Sequence, residues 1–378
     1  MRYLDSKKEY LITHKRGLLH FMKLRKILNV LFASVVSCSL VMLTFAQEQG
    51  AEHNAVPNKT APLKLVGKYD LPSDVSGKMD QLMVDIPRHL LFTTSYGSKS
   101  VFVFDVRTHK LIHAMNGFGV PHALLYREDI NRLYVTDGGA GEVKIFDGKT
   151  YELIKSVKLL PDTDAIAYDS TTKYIYVVNG GGDAKMTYST ISIIDTTKGD
   201  KVGEMKIDGE TLDAMEIETS GPKLYVTNVA KTQVEVIDRN TRTVVASWPL
   251  TLGKHNVAIA LDEAHHRLFV GCRTGQIVVF DTETGKELQA LPINQGIDDL
   301  TYDPSTKRLY AACPDGAGTV DVYEETDPDH YKSLGQIPTG PGARNGRLAA
   351  ELMRYFVAVP QREGANADVL EYEVQRGR

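Results

Sequence analysis

The sequence is poor in cysteine. It has three cysteines in 378 residues, and only Cys272 and Cys313 lie beyond residue 46. Two cysteines cannot build a disulfide framework, so the hydrophobic core must hold the fold. They occupy the same position in neighbouring repeats, described below, which places them at or beyond the reach of a disulfide. We therefore expect two buried free thiols.

The common catalytic motifs are also absent. There is no Gly-x-Ser-x-Gly, no complete phosphate-binding Gly-Lys-Ser/Thr loop and no His-Glu-x-x-His. Without Cys-x-x-Cys-His, covalent haem is not expected. These absences favour a binding protein over an enzyme of a standard class. The cofactor that stays open is a divalent metal such as calcium or magnesium.

The chain has one long apolar run, at residues 27–45. It follows the basic segment Met22-Lys23-Leu24-Arg25-Lys26 and ends at a small-x-small motif, Thr44-Phe45-Ala46. The pattern predicts a cleaved signal peptide over residues 1–46, with Met22 as a possible start, and then a polar linker over 47–61. We expect a periplasmic or secreted protein.

Two other interpretations of this run are weaker. A membrane anchor would normally be followed by basic residues, whereas a polar segment starts at Gln47. A lipoprotein signal at Cys38 would be followed by a polar tether, whereas the apolar run continues through Leu43. We therefore expect no membrane span in the mature chain.

The net charge narrows the choice of partners. Removing residues 1–46, which hold eight basic and two acidic residues, moves the formal charge from −4 to −10. An acidic surface disfavours nucleic acids and anionic membranes, so we expect no general nucleic-acid binding. The expected partner is a small polar ligand or a protein of the cell envelope, and we expect a monomer.

A repeated strand pattern dominates residues 62–378. A basic-Leu-aromatic-Val strand recurs seven times at intervals of 41 to 49 residues, with its aromatic at positions 92, 134, 176, 225, 269, 310 and 356. Four short strands fit into each interval, and no long window has helical periodicity. This spacing predicts an all-β, seven-bladed β-propeller with four antiparallel strands per blade.

The two ends of the repeat region indicate how the ring closes. The last copy ends after its third strand, near Val374, while a spare strand at residues 63–71 precedes the first copy. We expect this N-terminal strand to complete the last blade, because an open ring would leave strand edges exposed.

The repeat carries a family signature. Tyr225-Val226-Thr227-Asn228 is a literal Tyr-Val-Thr-Asn, and the third strand ends in Ile-Asp at Asp195 and Asp238. Over about residues 62–375 the chain resembles the YVTN-repeat, YncE-like propellers. The resemblance implies the fold and leaves the function open. The last blade departs from the pattern, since it lacks the Asp ending and the Asn, and the third blade has an insertion at 180–190.

Most conspicuous residues have a structural explanation. Aspartates that end the first or third strand of a blade should accept hydrogen bonds from turn amides. The seven aromatics should pack between blades. His265 and His266 lie in a turn on the face that holds these aspartates, and we expect no metal role for them.

The starts of the innermost strands are the main site candidates. In a propeller they converge on the central channel, and here they carry mostly charged residues: Asp80, His122, Asp164, Asp213, Val257, Asp298 and Arg344, with His255 just before Val257. Such a ring could bind a polar ligand or a divalent metal, with Asp164, Asp213 and Asp298 as metal candidates. It could equally be a solvated funnel held together by hydrogen bonds between blades.

Loops on the same face add further candidates. The loops between second and third strands offer Tyr96, Asp137, Asn228 and Arg273. The 180–190 insertion could be a lid, a partner contact or an ordinary long hairpin.

Three functions stay open. The first is a non-enzymatic propeller that binds a ligand, metal or partner at this face. The second is a metal-dependent lyase or lactonase-type hydrolase, in which His122 or His255 would be the general base. The third is a scaffold protein of the envelope.

Overall fold

The computed structural model describes residues 61–376. The predicted signal peptide, and the predicted linker up to residue 60, lie outside this range. The described residues form seven four-stranded antiparallel sheets arranged as the blades of a propeller. This confirms the predicted all-β, seven-bladed architecture.

Within each blade the strands follow one another from the channel outward, and we name them A to D. Blade 1 contains β2 (Met79–Asp85), β3 (Leu90–Ser95), β4 (Ser100–Asp105) and β5 (Lys110–Met115). Blade 2 contains β6 (Pro121–Arg127), β7 (Arg132–Asp137), β8 (Glu142–Asp147) and β9 (Leu153–Lys158). Blade 3 contains β10 (Ile166–Asp169), β11 (Tyr174–Gly180), β12 (Tyr188–Asp195) and β13 (Asp200–Asp208). Blade 4 contains β14 (Leu212–Ile217), β15 (Lys223–Asn228), β16 (Gln233–Asp238) and β17 (Thr243–Pro249).

The remaining blades follow the same plan. Blade 5 contains β18 (Asn256–Asp262), β19 (Arg267–Cys272), β20 (Gln276–Asp281) and β21 (Glu287–Pro292). Blade 6 contains β22 (Asp299–Asp303), β23 (Arg308–Cys313), β24 (Thr319–Asp327) and β25 (His330–Pro338). Blade 7 contains β26 (Asn345–Ala349), β27 (Arg354–Val359) and β28 (Asp368–Val374), completed by β1 (Leu63–Asp70). Three 3-10 turns, Glu128–Ile130, Gly182–Ala184 and Ala350–Leu352, are the helical elements of the described residues.

The N-terminal strand closes the ring as predicted. β1 pairs antiparallel with β28, with Leu63 opposite Val374 and Tyr69 opposite Val369. The Tyr69 side chain is fully buried, and its hydroxyl donates a hydrogen bond to Glu371 at 2.9 Å. The two ends of the propeller therefore hold each other in place.

The seven strand-B aromatics form the packing between blades. All seven are at most 2% exposed. Phe92 contacts Tyr151 of the next blade at a ring-centroid distance of 6.1 Å, and Phe269 contacts Tyr302 of the next blade at 5.4 Å. Buried aromatics contribute large apolar areas, so these wedges are a main source of stability.

The Tyr-Val-Thr-Asn signature also has a structural role. Tyr225 is fully buried between blades. The Thr227 hydroxyl donates to the Ala214 carbonyl of the inner strand at 3.4 Å. The Asn228 amide donates to the Asp208 carbonyl, just before its own blade, at 2.9 Å. The signature therefore secures strands and connections, which explains why it identifies a fold and not a ligand.

Two smaller expectations are confirmed. Cys272 and Cys313 are buried free thiols. The strand-C aspartates close turns, as at Asp147, which accepts the Lys149 and Thr150 amides at 2.9 and 3.0 Å. No helix within residues 61–376 has the length and apolar character needed to cross a bilayer.

Candidate functional site at the channel mouth

Irregular inner strands shape the mouth of the channel. The register shifts between Met79 and Leu82 in β2, and between Leu212 and Met215 in β14. β6 and β18 have the same irregularity, around His122 and Val257. Asp80 lies within the shift in β2, and Asp213 lies within the shift in β14. A bulge changes the direction of the side chains at that point, so four ring positions sit where strand pairing is interrupted.

A polar cavity of about 180 Å³ lies at this mouth. Seven of the predicted site residues line it: Asp80, Tyr96, Asp164, Asp213, Arg273, Asp298 and Arg344. They come from blades 1, 3, 4, 5, 6 and 7, which lie far apart in sequence. The convergence expected from the repeat geometry is therefore present. A wider groove of about 580 Å³ lies on the opposite face between blades 3 and 4, where Asp169 and Arg239 pair with each other.

His122 sits where three oxygens meet. Its Nδ1 atom is 2.9 Å from Asp80 Oδ2, 3.2 Å from Asp164 Oδ1 and 2.6 Å from the Tyr96 hydroxyl. Burial alone would lower the pKa of His122, but the Asp164 and Asp80 carboxylates outweigh it and raise that pKa to about 11. The imidazole is therefore a cation at neutral pH and neutralises part of the acidic ring.

Asp298 is enclosed by two arginines. Its Oδ2 atom is 3.1 Å from Arg344 Nη1, and its Oδ1 atom pairs with Arg273 Nη2. The arginines come from blade 7 and from the strand B–C loop of blade 5. The negative charge of Asp298 is therefore already balanced, whereas the guanidinium groups of Arg273 and Arg344 each keep further N–H groups that could bind a ligand.

Asp213 has no hydrogen-bonded partner of this kind among the described residues, although the charge of Arg273 opposes part of the shift in its pKa. Among residues 61–376 no side chain or backbone amide pairs with its carboxylate. Its pKa is raised well above the usual range, first by burial and then by the charges of Asp164 and Asp298. The Asp213 carboxylate thus faces the cavity with its acceptor sites free. Burial also raises the pKa of Asp80.

A second lobe of about 500 Å³ adjoins the first beside blades 2 and 3. Tyr96 and Asp164 border both lobes, and His122 borders the second. Asp183, from the 180–190 insertion, forms part of its wall. Burial and the charges of Asp164 and Asp183 raise the pKa of nearby Asp162 to about 6. Asp162 is a residue that sequence reasoning missed, although it precedes Asp164 by only two positions.

Three predicted residues lie outside the ring. Asp137 is fully buried and accepts the Gly119 and Val120 amides, each at 2.8 Å. Asn228 is equally buried and serves the connection before its own blade. His255 is exposed, has a φ of 53° and lines neither lobe.

Further along the channel lies an acidic layer that the sequence analysis overlooked. Glu216, Asp299 and Arg347 line a cavity of about 380 Å³ next to the mouth. Burial raises the pKa of Glu216 to about 7 and that of Asp299 to about 6, although Arg347 opposes both shifts. The signal was available, since Asp299 directly follows a ring residue and Glu216 belongs to the same short strand as Asp213.

Comparison with known proteins reveals the fold and no closer relationship. No family model matches the sequence, and no curated protein sequence matches it. A chain of a mitotic checkpoint complex superposes with a TM-score of 0.69 at 11% identity, covering 87% of this chain and 97% of that one. A chain of Kuenenia stuttgartiensis hydrazine synthase gives 0.67 at 18%, covering 81% and 98%. The WD40 repeats of RRP9 give 0.67 at 11%, covering 84% and 98%.

Proposed function

We propose that this protein is a binding propeller without a reaction of its own, which takes a small polar ligand with a positively charged group at the channel mouth. The observation that carries the proposal is Asp213, an unpaired carboxylate in a cavity next to Asp164. Burial and the charge of Asp164 disfavour ionisation of Asp213. A cation bound between the two carboxyl groups favours the ionised form of Asp213 and is attracted to both.

The charges around the cavity define the kind of ligand. His122 lies between Asp80 and Asp164 Oδ1, and two arginines enclose Asp298. Asp213 and the other oxygen of Asp164, Oδ2, are left to receive an ammonium group or a divalent cation. Arg273 and Arg344 have donors for an acceptor at the other end of the ligand. A small molecule with an ammonium group and a hydrogen-bond acceptor fits this arrangement.

Binding assays on the purified protein test this assignment. We would measure thermal shift and calorimetric binding with primary amines, quaternary amines, amino acids, calcium and magnesium. Asp213→Asn and Asp164→Asn should each weaken a bound probe by at least about tenfold, the scale of one charged hydrogen bond. Asp208→Asn is the control, because Asp208 lies on the same face and is highly exposed. Unchanged affinity in both ring variants would refute the site.

A second candidate is metal-dependent catalysis. The donor atoms of Asp80, His122 and Asp164 lie within 4.8 Å of one another, a grouping that could hold a cation. A divalent metal there would be the Lewis acid of a lyase or hydrolase. Metal analysis of gently purified wild type and His122→Ala separates the two: one equivalent of metal present in the wild type and lost in His122→Ala supports the enzyme, and equal metal content in the two proteins supports the binding propeller.

Secretion and family membership are part of the same proposal. The apolar run at 27–45 favours export to the periplasm or medium. N-terminal sequencing of the mature protein should begin at Gln47. The Tyr-Val-Thr-Asn repeat supports membership of the YVTN-repeat, YncE-like group, and an envelope scaffold stays the third possibility.

A further inference from the structure

Blades 1 to 6 each have a turn end, the end that carries the turn between strands A and B and the turn between strands C and D. The turn end of blade 5 differs from those of other blades. At the end of strand A, Asp85 accepts the Arg88 amide, Asp169 accepts the Thr171 amide and Asp303 accepts the Ser305 amide, all at 2.9 to 3.2 Å. The corresponding Asp262 accepts no turn amide among the described residues. It contacts the His265 ring at 2.6 Å and the Tyr302 hydroxyl at 3.3 Å. This carboxylate is therefore released from the turn.

The neighbouring blade presents a second carboxylate to it. Near the end of strand C in each blade, the residue just after the one paired with the start of strand B lies against the previous blade; it is Arg239 in blade 4 and Glu325 in blade 6. Between blades 3 and 4 this contact is an ion pair of Asp169 with Arg239. Between blades 5 and 6 the same position is Glu325, which joins Asp262 and His265 in one cluster. Two carboxylates meet where another blade pair has opposite charges.

Both carboxylates are deeply buried. Asp262 is 3% exposed and Glu325 is 2% exposed. The Oε1 atom of Glu325 accepts no hydrogen bond within residues 61–376 and lies 3.6 Å from His265 Nδ1. The other oxygen, Oε2, accepts a hydrogen bond from the Tyr302 hydroxyl. Oε1 is therefore the buried oxygen without a donor, and a cation beside it would offset the cost of its burial.

We propose that Asp262, His265 and Glu325 form a binding site for a divalent transition metal of the zinc class. The donors are Asp262 Oδ2, His265 Nδ1 and Glu325 Oε1, which all lie within 4.8 Å of one another. A dication balances the two carboxylates. An imidazole among the donors favours zinc over calcium or magnesium, which prefer oxygen.

The donors are close enough for such an ion after a small adjustment. Donors bound to zinc at about 2.0–2.1 Å in a tetrahedron are about 3.3 Å apart. Glu325 Oε1 is 3.6 Å from His265 Nδ1, near that value, whereas Asp262 Oδ2 is 2.6 Å from Nδ1, a hydrogen-bond distance that must lengthen when the metal replaces the proton. The His265 side chain is 36% exposed, so an ion can enter from solvent and keep a water as its fourth ligand. This proposal differs from the sequence-based expectation that His265 has no metal role. The sequence carries no indication of the site, because Glu325 lies sixty residues after His265 and only the fold brings the two side chains together.

Zinc titration of the chelator-treated, full-length protein tests the site. Calorimetry with zinc chloride should show one equivalent bound, and zinc should raise the melting temperature. His265→Ala and Glu325→Gln should each weaken this equivalent by at least about tenfold, the smallest loss typical of changes around a metal site. His265→Ala is the primary variant, because a partly exposed side chain can be removed without unfolding the blade.

Two controls make the result specific. His266→Ala removes the adjacent, exposed histidine of the same turn and should bind zinc like the wild type. His122→Ala removes the histidine of the channel mouth and should also keep this equivalent. If the wild type binds no zinc, the proposal fails. It fails equally if His265→Ala binds zinc as tightly as the wild type.

Discussion

Aspartates at the two ends of the inner strands have opposite environments. At the turn end, burial alone would raise the pKa of Asp169, but the Thr171 and Thr172 amides and Arg239 outweigh it and lower that pKa. At the mouth end, Asp213 has no donor among the described residues, and burial raises its pKa. The difference teaches that the donors around a carboxylate, and not the residue type, separate acids that close turns from acids left without a partner.

The largest test of this contrast removes one acid from each end. Asp169→Ala leaves the mostly buried Arg239 with only backbone carbonyls as acceptors and should lower the free energy of unfolding by about 3 kcal/mol. Asp213→Asn removes an acid whose ionisation burial already disfavours, and it should leave stability unchanged or raise it. Urea unfolding at pH 7 measures both. Because the folded pKa of Asp169 is lowered, its contribution is full at neutral pH and is lost as the pH falls below about 4. Equal losses in the two variants would break the contrast.

A second test concerns the histidine that compensates the mouth. His122→Ala should lower the free energy of unfolding by about 2 kcal/mol at pH 6, because it leaves the buried Asp80 without its cation. The folded pKa of about 11 exceeds the unfolded value of 6.5. The contribution of His122 is therefore full below pH 6.5 and declines as the pH rises towards 11.

Urea unfolding of both proteins at pH 6 and pH 9 measures that decline. The difference between wild type and His122→Ala should be smaller at pH 9. A difference that grows with pH would show that His122 is neutral in the folded protein. His113→Ala is a control, since His113 is an exposed histidine of an outer strand.

The smallest expected effect lies deeper in the channel. The pKa of Glu216 is raised from 4.5 to about 7, so its ionisation opposes folding. This cost is absent below pH 4.5, grows between pH 4.5 and 7 and is constant above. Glu216→Gln should stabilise the protein by about 1–2 kcal/mol at pH 8 and by much less at pH 5. Thermal unfolding at the two pH values measures it, and a destabilised variant at pH 8 would show that the carboxylate is paired.

The fold was accessible from the sequence because a repeat reports its own geometry. Seven aromatics at regular spacing, an unfinished last copy and a spare first strand are enough to set blade number and closure. The inward position of Asp80, Asp164, Asp213 and Asp298 followed from the same count. Their pairing did not, because Arg344 and Arg273 reach Asp298 from different blades.

Some site residues could not be separated from structural ones by sequence alone. Asp137 and Asn228 have the composition and loop position of ligand-binding residues, yet both are fully buried and hold backbone connections. His255 stands next to a ring position, but its left-handed backbone conformation leaves it exposed. A one-residue change in a loop redirects a side chain, and periodicity carries no information on that scale.

The sequence alone determined the blade count, the strand order, the closing strand and the acids at the starts of the inner strands, because these depend on alternation and spacing along the chain. The tertiary structure decided which carboxylates are compensated. Asp213 is left unpaired, Asp298 lies between two arginines, and Asp262 meets Glu325 across a blade boundary. Charge pairing depends on distances of a few ångströms between residues of different blades, and those distances exist only once the ring has closed.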